Sequence, residues 1–192
     1  MPSFAIIGKI CSGKSTYFET LRNAMENEFG IKVYRVPPFS DKIAEIARDL
    51  FGMEGKDRSL LQAIANNMRE IDSGVWAKYL IRNIKRYGAE PFIAEGFREV
   101  SEMEIFRENF PGMIVLKIDV DEKRRLEMHM AKYGKELTRE QMENAAETGI
   151  RDIKYDILVL NDYTEQGMKK NIKTIIDAVR ENSIYGIKAL GL

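Results

Sequence analysis

Apolar positions along the chain follow two different rhythms. Five short runs, at 3–8, 32–36, 91–95, 113–119 and 156–160, are continuously apolar or β-branched instead of alternating with polar residues. That is the pattern of strands covered on both faces. Between the runs, apolar residues recur at the three-four spacing of helices, over stretches long enough for crossovers between parallel strands. The expectation is an α/β fold in three layers, with a five-stranded parallel sheet held between helices. No repeat, low-complexity tract or Pro/Gly/Ser-rich linker divides it, so residues 1–192 read as a single domain.

The segment 37–88 is too long for one crossover and carries three helical patterns, at 40–51, 57–71 and 74–86. In the first, Ile43, Ile46, Ala47, Leu50 and Phe51 are expected to be buried, with Gly52 placed to stop the helix. In the second, Leu60, Leu61, Ile64, Met68 and Ile71 make an apolar face, while Arg58, Gln62 and Arg69 fall on a separate polar stripe. An insertion leaving the C-terminal end of a strand is where an α/β enzyme often binds a second substrate. Two arginines flanking a glutamine suit a phosphate and a polar base or sugar edge; the alternative is a solvated helix face. A smaller elaboration at 121–150 follows the fourth run. The pattern at 164–180 is a closing helix with Met168, Ile172, Ile175, Ile176 and Val179 inward.

Charge narrows the function classes. The 30 Lys+Arg balance 30 Asp+Glu, which argues against a dedicated nucleic-acid binder. No apolar run approaches a membrane span, and residues 1–10 lack the pattern of a secretory signal. Cys11 is the single cysteine, so no intrachain disulfide asks for an oxidising compartment. A cytoplasmic protein with no nucleic-acid or membrane partner is expected.

The sharpest local signal is Gly8-Lys9-Ile10-Cys11-Ser12-Gly13-Lys14-Ser15-Thr16, which satisfies G-x-x-x-x-G-K-[ST]. A buried strand leads in and a helical pattern leads out, as phosphate binding requires. Glycines at Gly8 and Gly13 let backbone N–H groups of the loop, through Ser12 and Thr16, converge on phosphate oxygens, and the helix N-terminus adds partial positive charge. Lys14 would reach the β- and γ-phosphates of ATP, and the Ser15 hydroxyl would ligate Mg2+. Cys11 reads as a tolerated small residue at a variable loop position, although Lys14 and the helix N-terminus both favour a thiolate there.

The insert carries a family resemblance. Pro38-Phe39-Ser40-Asp41-Lys42-Ile43 through Leu50-Phe51-Gly52, then Arg58-Ser59-Leu60-Leu61-Gln62, Met68-Arg69-Glu70-Ile71-Asp72 and Val75-Trp76, resembles the deoxynucleoside monophosphate kinases of phage type. Residues 151–162, with Tyr155-Asp156, an apolar strand and Asn161, resemble that family's ending. The chain is also similar to the dephospho-coenzyme A kinases. The resemblance implies a P-loop NTPase fold with a helical acceptor-binding insert at 37–88 and a small lid at 121–150. It implies that Asp41 faces the acceptor and orients its proton, that Arg58, Gln62, Arg69, Trp76 and Arg98 bind it, and that backbone groups around Asn161 to Tyr163 border the adenine. Glu95 would hold Mg2+ through water, although the family usually carries Asp before its Arg here. Arg124 or Arg125 would place lid charge on the transferring phosphoryl group, with Lys132, Lys135 and Arg139 as further candidates and His129 on the lid surface. No Asn-Lys-x-Asp guanine signature is present.

The implied activity is transfer of the ATP γ-phosphoryl to a small phosphorylated acceptor, a nucleoside or deoxynucleoside monophosphate. Dephospho-coenzyme A is the alternative acceptor, and a regulatory nucleotide-binding module without an acceptor is the alternative of another class. Base, sugar and oligomeric state stay open.

Overall fold

The expected strands all form. In the computed structural model, described for residues 1–134, 136 and 149–190, the chain runs β1 (Phe4–Ile7), α1 (Lys14–Phe29), β2 (Tyr34–Val36), α2 (Phe39–Phe51), α3 (Arg58–Ile71), α4 (Val75–Tyr87), β3 (Phe92–Glu95), α5 (Val100–Asn109), β4 (Ile114–Asp119), α6 (Glu122–Tyr133), β5 (Ile157–Leu160), α7 (Glu165–Arg180) and β6 (Ala189–Leu190). The five expected strands stand side by side in the order β2-β3-β1-β4-β5, all parallel. A sixth strand was not expected: β6 pairs with β5 at the sheet edge. Two residues are too few to carry a period, so only the pairing partner makes this a strand.

Alternation along each strand sends successive side chains to opposite faces. Ala5, Ile7, Val36, Phe92, Ala94 and Val115 join one core, under α2, α4 and α5. Phe4, Ile6, Ile93, Ile114, Leu116, Ile157 and Val159 join the other, under α1 and α7. Both faces being apolar explains why the sequence runs are continuous. The first connections from β1 travel toward β2 and β3 and the later ones toward β4 and β5. The chain therefore reverses direction beside β1, and in open α/β sheets ligands bind outside the carboxyl ends at such a switch point.

The insert folds as three helices, each stopped by local chemistry. Gly52 ends α2 in the left-handed region at φ 63°, its N–H donating to the Arg48 carbonyl and the following Met53 N–H to the Ala47 carbonyl. Asp57 caps α3 by accepting from Leu60 N–H. Ile43 and Ala47 are buried as expected, but Leu50 and Phe51 are 74% and 59% exposed, and Ile71 is 81% exposed. The helical period finds the right side of a helix but not how far along it a neighbour extends. α3 packs on α2 and α4, and Leu50, Phe51 and Ile71, at the ends of their helices, are left uncovered. No helix among the described residues is long and apolar enough to cross a membrane.

Candidate active site

The loop after β1 is shaped by two close approaches. A Cβ on Gly8 would lie 2.5 Å from the Ile118 carbonyl oxygen and 2.6 Å from Ser12 Oγ. One on Gly13, at φ 92°, would lie 2.4 Å from Asn161 Nδ2. Only glycine fits either place. α1 starts at Lys14 with no acidic residue in its first turn, so no side-chain charge offsets the positive end of its dipole where it meets the loop. Lys14 Nζ donates to the Gly8 and Lys9 carbonyls at 2.7 and 2.6 Å, folding its ammonium across the loop. The Ser12 hydroxyl is buried with no hydrogen-bond partner among the described residues, as suits a loop that wraps an oxyanion.

A cleft of about 590 Å³ opens over this loop. Ser12 through Tyr17 form one wall, Arg124, Met128 and Lys132 of α6 the second, and Asn161, Tyr163, Thr164 and Met168 the third. The α6 wall follows from helical spacing. Residues 124, 128 and 132 are each one turn apart and share the cleft side. Arg125 and His129 share the adjacent, inward side: both are buried, with Arg125 Nη2 at 3.5 Å from Glu122 Oε1. This corrects two expectations. Arg125 is not in the cleft wall, and His129 is packed beneath the helix with its ring 4.7 Å from that of Tyr133. Lys135 and Arg139 lie outside the described residues.

The loop after β5 clamps the phosphate loop. Asn161, itself buried, donates from Nδ2 to the Ser12 carbonyl at 2.9 Å, while its Oδ1 accepts from Tyr163 N–H at 2.9 Å. Tyr163 donates its hydroxyl to the Cys11 carbonyl. Both Tyr163 and Cys11 sit at φ 58°, which few non-glycine residues adopt. Burial, and after it the neighbouring Cys11, push the Tyr163 hydroxyl above its ordinary value, keeping it a donor at neutral pH. Tyr17, on the cleft floor, is likewise pushed up by burial, opposed by the hydrogen bond it accepts from Asn171 Nδ2 at 3.1 Å. The segment from Asn161 to Tyr163 was expected beside the nucleotide, but the Tyr163 hydroxyl contact carried no local signal, because its partner is 152 residues away.

A second cleft of about 210 Å³ lies between α2, α3 and the turn after β3. Its walls include Phe39 and Ser40, Gln62, Asn66 and Arg69, and Gly96 and Arg98. Phe39 meets Phe97 edge-on at 5.5 Å, and Phe97 meets Phe106 at 4.8 Å, so the apolar floor is continuous with the core. The structure thus brings together Gln62, Arg69 and Arg98. Three other expected acceptor residues lie elsewhere. Arg58 is exposed on the first turn of α3, roughly 6 Å along the axis from Gln62 at 1.5 Å per residue. Asp41 is exposed on the first turn of α2, outside both cleft walls, where its charge complements the helix dipole. Trp76 is buried behind α3, its indole N–H donating to the Ala65 carbonyl at 3.3 Å. It braces the cleft without lining it.

Arg69 is not a free cation. Its Nε and Nη2 donate to Glu102 Oε1 at 3.0 and 2.8 Å, and Glu102 is completely buried. Sequence reading passed over Glu102 because a lone acid in a helical stretch ordinarily faces water.

Glu95 stands at the carboxyl end of β3, in register with Ile6 of β1 and therefore beside the strand that feeds the phosphate loop. It is buried, with Arg35 Nη2 at 3.7 Å. No group of three or more His, Cys, Asp or Glu among the described residues could hold a metal by itself. Ser15 and Glu95 carry oxygen donors of the kind Mg2+ takes beside phosphate oxygens and water, but only Ser15 lines a cleft.

No family model matches the sequence, and no curated protein matches it. Solved structures do. A gluconokinase from Sinorhizobium meliloti 1021 is 14% identical, covering 96% of this chain and 97% of its own, with a TM-score of 0.56. A shikimate kinase from Aquifex aeolicus vf5 is 17% identical over 95% of this chain and 98% of its own, at 0.52. The Mycobacterium tuberculosis APS kinase in complex with AMPPNP and APS is 12% identical over 93% and 98%, at 0.52. At these identities the likeness shows the fold: a three-layer α/β/α arrangement shared with these kinases.

Proposed function

We propose that this chain is an ATP-dependent, Mg2+-requiring small-molecule kinase whose acceptor is a nucleoside or deoxynucleoside monophosphate. The observation that carries the reading is the pair of clefts at the carboxyl edge of the sheet. One is built on the phosphate loop, and the other is lined by two arginines and two amides. A module that only bound nucleotide would have no use for the second. The likeness to solved small-molecule kinases supports the same class.

When bound, Mg·ATP supplies the transferable phosphoryl group. Lys14, the first-turn N–H groups of α1 and the Ser15 hydroxyl hold its phosphate end, and Asn161 and Tyr163 keep the loop in shape for it. Arg124 and Lys132 overhang the same cleft, where positive charge stabilises the developing charge of phosphoryl transfer. Arg69 and Arg98 match the oxyanion of a monophosphate. Gln62 and Asn66, one helical turn apart, offer donors and acceptors to its sugar or base.

The test is ADP formation with Mg·ATP across a panel of nucleoside and deoxynucleoside monophosphates plus dephospho-coenzyme A. Acceptor-dependent ADP release with a monophosphate is the expected result. Release with dephospho-coenzyme A alone would move the assignment to that acceptor, and release independent of every acceptor would leave a nucleotide-binding module.

A further inference from the structure

Four donors from two separate elements converge on one buried carboxylate. Glu102 Oε1 accepts from Arg69 Nε and Nη2 of α3, and Oε2 accepts from the backbone N–H groups of Arg98 at 2.9 Å and Glu99 at 3.2 Å. Glu102 is 0% exposed and does not line the second cleft, whereas Arg69, Arg98 and Glu99 all do. The edge of the Arg69 guanidinium turned toward Glu102 is therefore the edge turned away from the cleft. Of five N–H donors on a guanidinium, two are taken here, which leaves the opposite edge to the cleft.

We propose that Glu102 is a positioning residue for an oxyanion subsite: it fixes the Arg69 guanidinium and the Arg98–Glu99 turn in one geometry without touching the ligand. The identification of that oxyanion as an acceptor phosphate rests on the reading above; the positioning itself does not. Three physical consequences follow from the arrangement. An arginine held along one edge presents its planar fork with few rotamers left to lose on binding. The carboxylate also offsets the repulsion between two arginines that share a small cleft. Finally, Oε2 bonds the N-cap residue of α5, Glu99, and completes a reciprocal capping box, so the turn that carries Arg98 is tied to the same atom group. Helix α3 of the insert and the turn after β3 are thereby locked to each other through a single side chain.

The test uses the full-length chain with the phosphate loop occupied by excess Mg·AMPPNP, so that inorganic phosphate probes the second cleft alone. In wild type, the Arg69 Nε–H signal, assigned by its loss in Arg69→Lys, is expected to be protected from exchange and to shift as phosphate is added. In Glu102→Gln, which keeps the shape and removes the charge, that protection should be lost and phosphate affinity should fall roughly tenfold. For whichever monophosphate the wild type turns over best, acceptor KM should rise by a similar factor, with ATP KM within about twofold. Adding Glu102→Gln to Arg69→Met should cost acceptor binding clearly less than Glu102→Gln costs in wild type, because the part of its effect that runs through the arginine is already gone and only the Arg98–Glu99 turn is left to loosen. A purely structural Glu102 predicts losses that multiply, or unchanged phosphate affinity in Glu102→Gln, and either result overturns the proposal. Should Glu102→Gln fail to fold, the wild-type signal still decides: an Arg69 Nε–H that exchanges as fast as a free arginine is not held, and the proposal is wrong. If no monophosphate is turned over but the Arg69 signal answers to phosphate and to Glu102→Gln, the acceptor reading fails and the positioning role stands.

Discussion

At the scale of single residues, what the sequence disclosed depended on how far away each partner lies. Gly8, Gly13 and Lys14 were legible because the phosphate loop is built from nine consecutive positions. The Tyr163 hydroxyl contact and the Glu102–Arg69 pair were not, since those partners are 152 and 33 residues distant, and the Glu99–Glu102 capping box marks only a helix start. Lys14→Ala should lower turnover by at least roughly 10²-fold, because it removes a preorganised cation from the transferring group. Far-ultraviolet dichroism should stay at the wild-type value, and wild-type turnover in this variant would sink the phosphoryl-transfer reading. Tyr17 supplies a pH prediction. Its hydroxyl is raised above the ordinary 10.0, chiefly by burial, so above pH 10 the unfolded chain releases this proton before the folded one. The contribution to stability is complete below pH 10 and is lost as pH rises through the raised folded value. Tyr17→Phe should flatten that alkaline loss, while costing about 1 to 3 kcal/mol at pH 7 by leaving the buried Asn171 amide without its acceptor. Denaturant titrations at pH 7 and above pH 10 check both signs, and identical alkaline slopes for the two proteins would refute the assignment.

At the scale of the element, periodicity found which residues share a face but not what that face meets. On α3 it put Arg58, Gln62 and Arg69 on one stripe, yet the cleft extends only along Leu61 to Arg69, and Arg58 falls beyond its end. On α6 it could not choose between Arg124 and Arg125, because neighbours in sequence are about 100° apart and the inward side is decided only by packing. The structure separates each pair into different expected phenotypes. Arg58→Ala should leave acceptor KM unchanged and stability within about 0.5 kcal/mol of wild type, as an exposed substitution does. Arg69→Ala should raise acceptor KM roughly 10- to 150-fold with ATP KM unchanged. It should also lower stability by about 3 to 5 kcal/mol, since it strands the buried Glu102 carboxylate. Arg124→Ala should lower kcat without altering thermal stability, whereas Arg125→Ala should destabilise the fold, because only the second side chain is buried. Steady-state kinetics varying each substrate separately, paired with thermal unfolding, distinguishes all four. A stable Arg69→Ala with normal acceptor kinetics would remove α3 from the site.

At the scale of the whole molecule, the parallel sheet was legible because each strand is a local run and the crossover rule leaves few ways to connect them. The second cleft was legible only in part, since it forms where α2, α3 and the turn after β3 meet, three segments that no short motif spans. This division between a local phosphate loop and a composite second cleft, the proposed acceptor site, bears on stability. Any ligand that binds only the folded chain stabilises it by RT ln(1 + [L]/Kd), about 2.7 kcal/mol at a hundred times Kd. For a domain near this length, 1 kcal/mol moves Tm by about 2 to 4 °C, so saturating Mg·AMPPNP should raise Tm by roughly 5 to 10 °C. Lys14→Ala should lose most of that shift, because the loop would hold the phosphates without its cation. A productive monophosphate should add a further increment on top of Mg·AMPPNP, since its cleft is separate from the nucleotide's. In Arg69→Met that second increment should vanish while the first remains. A nucleotide-binding module predicts the first shift and never the second, so thermal unfolding with Mg·AMPPNP alone and then with each monophosphate divides the two readings without any assay of turnover. Additivity of the shifts would place the ligands in independent sites. A second increment absent for every monophosphate, with the first intact, would leave the kinase assignment without an acceptor.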